Sequence, residues 1–353
     1  MEKFDSITHF IQTGGFEYRI FDMGRKVQAL SQEYFEQLEN QQELYPSPFQ
    51  QKAWLAILIW RESDEASATI WFLQFPVDEL GYLKQEARDT FLIELLEQTG
   101  KNIFAKQKGE KVLDELGESP FAFKPQQDRL AVFHALATKS LNQSPSQYYQ
   151  HAREYLTGDS GGYDQWQFLG LQGMADVVVR LGEDDNESLL IKAISNFPEV
   201  PLENFALLLE NIQPEEELTN QLISLVQKEI SKEQPNVKLV SALIRALSGA
   251  GPAKLRKEFF LGFLSSQNNC INKEVEVLVA ISGRAWVDLE DEKLLVVFVE
   301  NLATQNQMAF NAVIVDLMML PEMKEKVLNV MRKPERSAEL AEKMSELMKV
   351  LRA

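Results

Sequence analysis

The sequence predicts an α+β domain with a small antiparallel sheet, followed by an all-α region of irregular HEAT-like helical repeats. Two observations predict this mostly α fold class. Runs of β-branched and aromatic residues, which favour strands, are concentrated in the first third of the chain. From about Pro125 onward, apolar residues recur at helical spacing in one segment after another. The length of 353 residues suits two domains, which we predict at residues 1–124 and 125–353.

The first hairpin is predicted in the stretch E-Y-R-I-F-D-M-G-R-K-V-Q-A-L. A two-residue loop at Met23 and Gly24 pairs Asp22 with Arg25, and Gly24 supplies the positive φ that such a turn needs. A three-residue loop, with Gly24 in the left-handed region, is the alternative and pairs Phe21 with Arg25. The preferred register places two further pairs on the same face, Ile20 with Val27 and Tyr18 with Ala29.

The remaining elements of the first domain follow in order. The segment S-Q-E-Y-F-E-Q-L-E has helical spacing, and Pro46 and Pro48 then interrupt the helix. Residues 54–60 and 69–75 are apolar on both faces and are separated by a polar loop, which predicts a central antiparallel hairpin covered by helices. An amphipathic helix is predicted from Asp78, so that about four strands pack against helices.

Four similar segments indicate a repeat in the second domain. Their offsets are 53, 34 and 36 residues, and the last two suit helix pairs. An additional helix around E-E-E-L-T-N-Q-L-I-S-L-V-Q-K explains the first, longer offset. The segments are L-I-K-A-I-S ending at Ser195, L-I-R-A-L-S at Ser248, V-L-V-A-I-S at Ser282 and V-I-V-D-L-M at Met318.

The charge of the chain narrows the choice of partners. The formal net charge is −17, which disfavours a nucleic-acid binder because phosphates require a basic patch. Residues 183–233 contain 12 acidic and 3 basic residues, so much of the negative charge lies in one short region. No apolar run is long enough for a membrane helix, no signal peptide is recognisable, and the single Cys270 fits a reducing cytoplasm.

Catalytic and metal motifs are weak. The three histidines, His9, His134 and His151, occur without H-E-x-x-H or a cysteine cluster, so we predict neither a metal site nor a cofactor. The sequence contains neither G-x-S-x-G nor a Walker motif, and we interpret G-D-S-G-G-Y as a loop between helices. Whether the protein is an enzyme stays open. Because no catalytic motif is supported by the sequence, we favour a non-enzymatic protein.

Two sets of side chains are candidates for binding a ligand or a partner. One set combines polar groups with the aromatic neighbourhood of the first domain, where the alternative interpretation of the aromatics is ordinary sheet packing. The other set consists of acids, for which helix capping is the alternative interpretation. The first set is Asp22, Arg25, Tyr45, Trp60 and Arg61, and the second is Asp184, Asp185, Glu215, Glu216 and Glu217.

Three stretches carry a resemblance to a known family. They are Y-R-I-F-D-M-G-R-K-V, Y-P-S-P-F-Q-Q-K-A-W-L-A-I-L-I-W and W-Q-F-L-G-L-Q-G-M-A-D-V-V-V-R-L. Together they resemble an uncharacterised bacterial domain-of-unknown-function family, family 3549, over nearly the whole chain. The resemblance implies a bacterial, cytoplasmic protein, and it transfers no catalytic residue.

The expected function is therefore that of a non-enzymatic interaction or scaffold protein, which presents an acidic helical-repeat surface to a protein partner. A basic partner is one version of this hypothesis, and mimicry of nucleic acid by the acidic surface is another. The alternative is an enzyme or small-ligand-binding protein with its site in the N-terminal domain or at the domain junction. The oligomeric state stays open.

Overall fold

A computed structural model describes residues 4–61, 64–105, 119–159, 161–267 and 270–352. The chain divides into two compact units. The first comprises Met1–Gln126 with Met319–Pro321, and the second comprises Gln127–Met318 with Glu322–Ala353. A small antiparallel sheet near the N-terminus is followed by a long series of helices, which confirms the predicted mostly α, α+β class.

The sheet of the first unit has four antiparallel strands in the order β2-β1-β3-β4. The predicted central hairpin is confirmed, since β3 pairs with β4 along most of its length. Both faces of β3 are buried. Successive side chains of a strand point to opposite faces, and residues 53–60 are all apolar. The strands are β1 (Glu17–Asp22), β2 (Gln28–Leu30), β3 (Lys52–Arg61) and β4 (Asp64–Pro76).

The predicted register of the first hairpin is wrong in both of its versions. Asp22 lies opposite Gln28, so residues 23–27 form a five-residue loop, and Gly24 has no positive φ. The loop does not close as a tight turn, because two of its backbone amides donate hydrogen bonds to groups outside the loop. The Gly24 amide donates to Oδ1 of Asp22 at 2.6 Å, and the Met23 amide donates to the carbonyl oxygen of Trp54 on β3 at 2.7 Å.

In the described part of the first unit the helices are α1 (Ile7–Thr13), α2 (Gln32–Glu39) and α3 (Gln85–Ala105), the last beginning at Gln85 and not at the predicted Asp78. Helix α2 begins where predicted, after Ser31, whose side chain accepts a hydrogen bond from the Tyr34 amide at 3.1 Å. Apolar side chains from the helices and the sheet form one core cluster. Its members include Ile7, Phe35, Leu38, Ile57, Trp71, Leu73, Phe75 and Phe91.

The second unit consists of helices α4 to α16, with short 3-10 segments at Tyr163–Phe168, Cys270–Lys273 and Asp288–Glu290. Prolines and polar N-cap residues mark the boundaries between these helices. At one such boundary the side chain of Asn236 accepts a hydrogen bond from the Leu239 amide at 3.2 Å. The helices are α4 (Gln127–Ser140), α5 (Tyr149–Thr157), α6 (Leu171–Val179), α7 (Asn186–Ile194), α8 (Glu199–Leu209), α9 (Glu216–Ile230), α10 (Val237–Leu247), α11 (Ala253–Ser265), α12 (Val275–Arg284), α13 (Glu292–Ala303), α14 (Gln307–Met318), α15 (Met323–Met331) and α16 (Ala338–Arg352).

The helices of the second unit pack as two layers. In one layer α4, α6, α8, α10, α12 and α14 follow one another, each against the next. In the other layer α5 packs on α7 and α7 on α9, and α11 packs on α13 and α13 on α15. Stacking of neighbours in this way buries a continuous core and leaves helix ends in rows along the surface.

The four similar sequence segments do not all occupy equivalent places. Those ending at Ser248, Ser282 and Met318 belong to α10, α12 and α14, which are successive members of one layer. The segment ending at Ser195 belongs to α7 in the other layer. The long first offset arises because α8 and α9 both lie between α7 and α10, so the step spans three helices instead of two.

Candidate functional site

The N-terminal candidate residues do not form a single site. Asp22, Arg25 and Tyr45 are each fully buried, at 0% exposure, whereas Arg61 is exposed. Asp22 lies opposite Leu55 on β3, and Trp60 is five residues further along that strand. Five residues of strand span about 17 Å, which separates Trp60 and Arg61 from the other three candidates.

The side chain of Asp22 accepts hydrogen bonds from three directions. Oδ1 accepts from the Tyr45 hydroxyl at 2.7 Å and from the Gly24 amide at 2.6 Å, and Oδ2 accepts from the Ser47 hydroxyl. The Tyr45 hydroxyl also lies 3.1 Å from the carbonyl oxygen of Trp54 and accepts from the Trp54 amide at 3.3 Å. Together these bonds tie the 23–27 loop, the segment before β3 and β3 itself into one buried network.

Burial and charge act in the same direction on Tyr45. Desolvation, followed by the Asp22 carboxylate, raises the pKa of the Tyr45 hydroxyl well above its usual value, so that it stays a hydrogen-bond donor. Arg25 donates from Nε to the carbonyl oxygen of Pro48 at 2.9 Å, and its guanidinium lies 5.7 Å from the centre of the Phe49 ring. These contacts hold the proline-containing segment against the loop, which is a structural role.

Trp60 and Arg61 are the last two residues of the central strand β3. Trp60 is buried, at 9% exposure, and pairs with Glu17 in the sheet. The Arg61 guanidinium lies 4.8 Å from the centre of the Phe16 ring, which is a cation–π distance. Packing at the end of this central strand therefore accounts for the aromatic environment that the sequence indicated.

The acidic candidates of the second unit come together in one surface. We call it the acidic edge and define it as Asp184, Asp185 and Glu187 with Glu215, Glu216 and Glu217. The first three lie at the start of α7 and the last three at the start of α9, its neighbour in the same layer. The backbone amide of Glu215 donates to Oε1 of Glu187 at 2.8 Å, across 28 residues of sequence.

Local structure at the start of α7 turns the acids outward. Asp184 and Asp185 have positive φ angles of 49° and 57°, a conformation that aspartate tolerates better than most residues. Asp184 accepts from the Tyr149 hydroxyl at 2.9 Å, and its carbonyl oxygen accepts from Arg153 at 2.5 Å. Both aspartates remain exposed to solvent.

The start of α9 keeps its carboxylates available as well. Glu215, Glu216 and Glu217 are exposed, and the side chain of Glu215 makes no capping hydrogen bond. Burial, and then the neighbouring Glu215 and Glu217 carboxylates, raise the pKa of Glu187 against the lowering effect of the Glu215 amide. The carboxylates of Glu215 and Glu217 therefore act on Glu187 across the contact between α7 and α9.

A buried ion cluster in the second unit was missed from the sequence. Glu210, at the end of α8, is fully buried and accepts from three arginines. Burial alone favours the neutral acid, but Arg284, Arg245 and Arg129 outweigh it and lower the pKa of Glu210 to about 2. Arg245 and Arg284 lie in the last turns of α10 and α12. An arginine at the equivalent place in two successive apolar helices is the sequence pattern that could have predicted this cluster.

Among the described residues, no group of three or more histidine, cysteine, aspartate or glutamate side chains is arranged to hold a metal ion. Within the same part of the chain, no helix combines the length and apolar character needed to cross a bilayer. Cys270 is exposed in a 3-10 segment.

Comparison with known proteins identifies a family. No curated protein and no solved structure matches the chain. The family model described as "Protein of unknown function (DUF3549)" matches residues 2–348, nearly the whole length. The chain therefore belongs to the family DUF3549.

Proposed function

We propose that this protein is a non-enzymatic interaction or scaffold protein, and that its acidic edge binds a basic segment of a protein partner. The observation that carries the proposal is the contact between Glu215 and Glu187, because it joins two separate acidic stretches into one surface. Stacked helix pairs suit this role, since neighbouring helices present successive ends along an extended surface, as HEAT-like repeats do.

The charges of the acidic edge favour a cationic partner. The nearest cations are occupied within the second unit, because Arg153 donates to the Asp184 carbonyl oxygen and to Asn186 Oδ1 at 3.0 Å. Lys139 pairs with Glu183 at 2.9 Å, just before the edge. A partner that supplies lysine or arginine reduces the repulsion that raises the pKa of Glu187. Such contacts weaken with salt, since the Debye length is about 8 Å at physiological ionic strength.

The setting that we propose for this interaction is the bacterial cytoplasm. A single cysteine, which allows no internal disulfide, suits a reducing compartment. The alternative function, a small-ligand or enzymatic site built from Asp22, Arg25 and Tyr45, receives less support. Both oxygens of Asp22 already accept hydrogen bonds from the protein itself.

The test compares two triple variants. The first changes Glu215, Glu216 and Glu217 to glutamine, and the control makes the same change at the exposed Glu339, Glu342 and Glu346 of α16. Proteins captured from a lysate of the source cells are identified and quantified for each variant at about 50 mM and about 500 mM salt, on either side of physiological screening.

We expect the unaltered chain and the control to retain a basic protein at low salt, and the acidic-edge variant to lose it. High salt should release the same protein from the unaltered chain and from the control. Equal capture by the acidic-edge variant and the control, or no specific protein at low salt, contradicts the proposal. Competition by duplex DNA for the captured protein separates mimicry of nucleic acid from other acidic recognition.

A further inference from the structure

The second unit contains a small cavity between α5 and the 3-10 segment Tyr163–Phe168. Its volume is about 200 Å³. Sites for drug-sized ligands occupy roughly 300 to 1,000 Å³, so this cavity suits a single side chain or a molecule of that size. The lining residues are His151, Glu154, Tyr155, Gly162, Gln165 and Phe168.

Two aromatic rings form the apolar walls of this cavity. Tyr155 is buried, whereas Phe168 is 74% exposed and is one of the most exposed large apolar side chains among the described residues. Exposed aromatic rings at the rim of a cavity are a common means of holding the stem and the charge of an organic cation. The exposed ring of Phe168 is therefore accessible to a ligand in this cavity.

The charge at the cavity is negative. Glu154 lies in the lining, and its carboxylate accepts a hydrogen bond from a neutral amide, Nε2 of Gln150, at 3.2 Å. Asp164 lies in the first turn of the 3-10 segment. Burial, then Tyr163 and then the charge of Asp164 raise the pKa of Tyr155 to about 12. Arg153 is turned toward α7, where it donates to Asn186 and to the Asp184 carbonyl oxygen. The lining therefore contains one acid, Glu154, together with His151 and uncharged residues.

Helix α5 connects this cavity to the acidic edge. The Tyr149 hydroxyl donates to Asp184 of the edge, and Glu154 of the cavity is five residues further along the same helix. Five residues of α-helix rise about 8 Å along the axis and turn about 140° around it, so a peptide segment that reaches both places follows the surface of α5. A basic segment lying on the acidic edge can therefore place a neighbouring side chain in the cavity.

We propose that this cavity binds an arginine or lysine side chain of the basic partner, with its charge at Glu154 and its stem against Tyr155 and Phe168. This inference rests on the proposed function for the identity of the partner. The cation itself can be tested separately, because a side chain of this size can be offered as a small molecule.

The probe is arginine with an acetylated amino group and a methylamide at its carboxyl end, and the matched probe is citrulline capped in the same way. Citrulline has nearly the same shape without the charge. Saturation-transfer NMR on the full chain measures both affinities. We expect capped arginine to bind and capped citrulline to bind at least fivefold more weakly. Equal binding of the two probes, or no binding of capped arginine, overturns the inference.

Two exposed substitutions localise the binding. We expect Glu154→Gln to weaken capped arginine roughly fivefold and Phe168→Ala to weaken it roughly two- to fivefold. The controls are Glu276→Gln on α12 and Met308→Ala on α14, which alter an exposed acid and an exposed apolar side chain elsewhere. Both controls should bind capped arginine as the unaltered chain does, and losses equal to those of the cavity variants contradict the proposal.

The acidic-edge variant separates this inference from the proposed function. Glu215, Glu216 and Glu217 lie outside the cavity lining, so their change to glutamine should remove the captured partner and leave capped arginine bound. Binding of capped arginine with no partner captured overturns the proposed function and supports a site for a free organic cation. Capture of the partner without binding of capped arginine overturns the cavity assignment alone.

Discussion

Arg284 donates from Nε to Oε1 of Glu210 at 3.1 Å, which joins the end of α12 to the end of α8 inside the second unit. Arg245 of α10 bonds the other oxygen of the same carboxylate, and Arg129 of α4 approaches Oε1 at 3.4 Å. One buried acid thus connects four helices of a single layer. The burial of Arg284, together with the charges of Arg129 and Arg245, lowers the pKa of Arg284 to about 10 despite the pairing with Glu210.

The first prediction is that Glu210→Ala strongly destabilises the protein. Removing one member of a buried ion cluster leaves the remaining charges without compensation, which costs about 3–5 kcal/mol. The control is Glu203→Ala on the same helix, where Glu203 pairs with the largely exposed Lys238 at 2.8 Å. Water and salt screen that exposed pair, so its loss should cost much less than the loss of Glu210. Urea unfolding measures both losses of free energy, and similar values for the two variants contradict this assignment.

The second prediction concerns the pH dependence of that cluster. The pKa of Glu210 falls from 4.5 to about 2 on folding, so the carboxylate stabilises the fold above pH 4.5. This contribution is lost as the pH falls through about 2, and it amounts to ~3 kcal/mol.

Urea unfolding between pH 6 and pH 2 tests this linkage by comparing the unaltered chain with Glu210→Gln, in which the side chain cannot titrate. We expect the advantage of the unaltered chain to shrink by ~3 kcal/mol across that range. A difference between the two proteins that stays constant with pH means that Glu210 does not carry the linkage.

The sequence predicted the elements whose structure depends on neighbouring residues. Residues 54–60 and 69–75 form β3 and β4 because both runs combine β propensity with apolar character on two faces. Helix α1 was not predicted, since part of its N-terminus is satisfied from a distance. Glu39 accepts from the Ile7 and Thr8 amides at 2.7 and 3.0 Å, although it lies more than thirty residues away.

In the candidate sites too, the features set by neighbouring residues could be predicted from the sequence and those set by distant residues could not. Each acidic stretch of the acidic edge is visible in the sequence, but their contact depends on the packing of α7 against α9. Asp22 and Arg25 appeared to be a pair across a tight turn. Two of the hydrogen-bond donors to the Asp22 carboxylate are Tyr45 and Ser47. They lie 23 and 25 residues further along the chain, so rules for tight turns could not predict them.

The third prediction concerns Tyr45→Phe. The change removes a buried hydroxyl that donates to the Asp22 carboxylate at 2.7 Å. A hydrogen bond to a charged group is worth about 1.5–3 kcal/mol, so we expect a loss of that size in the free energy of unfolding. The control is Tyr34→Phe, which removes a bond to the neutral Leu44 carbonyl oxygen at 2.7 Å and should cost about 0.5–1.5 kcal/mol. Chemical unfolding of both variants tests the order, and a smaller loss for Tyr45→Phe contradicts it.

The fourth prediction is that Gly262→Ala stabilises the protein. Gly262 lies inside α11, where its φ is not positive, and a Cβ atom at this position meets no other heavy atom within 4 Å. Alanine is favoured over glycine inside a helix by about 1 kcal/mol, because glycine loses more backbone entropy on folding.

The matched control for this prediction is Gly173→Ala in α6, where the added Cβ would lie 2.5 Å from the Tyr148 carbonyl oxygen. The same helix preference operates there, but α6 and the backbone of Tyr148 must move apart. Thermal and urea unfolding should therefore show a gain of stability for Gly262→Ala and a loss for Gly173→Ala. If both substitutions change the stability in the same direction, local space does not decide the effect of a side chain at these two positions.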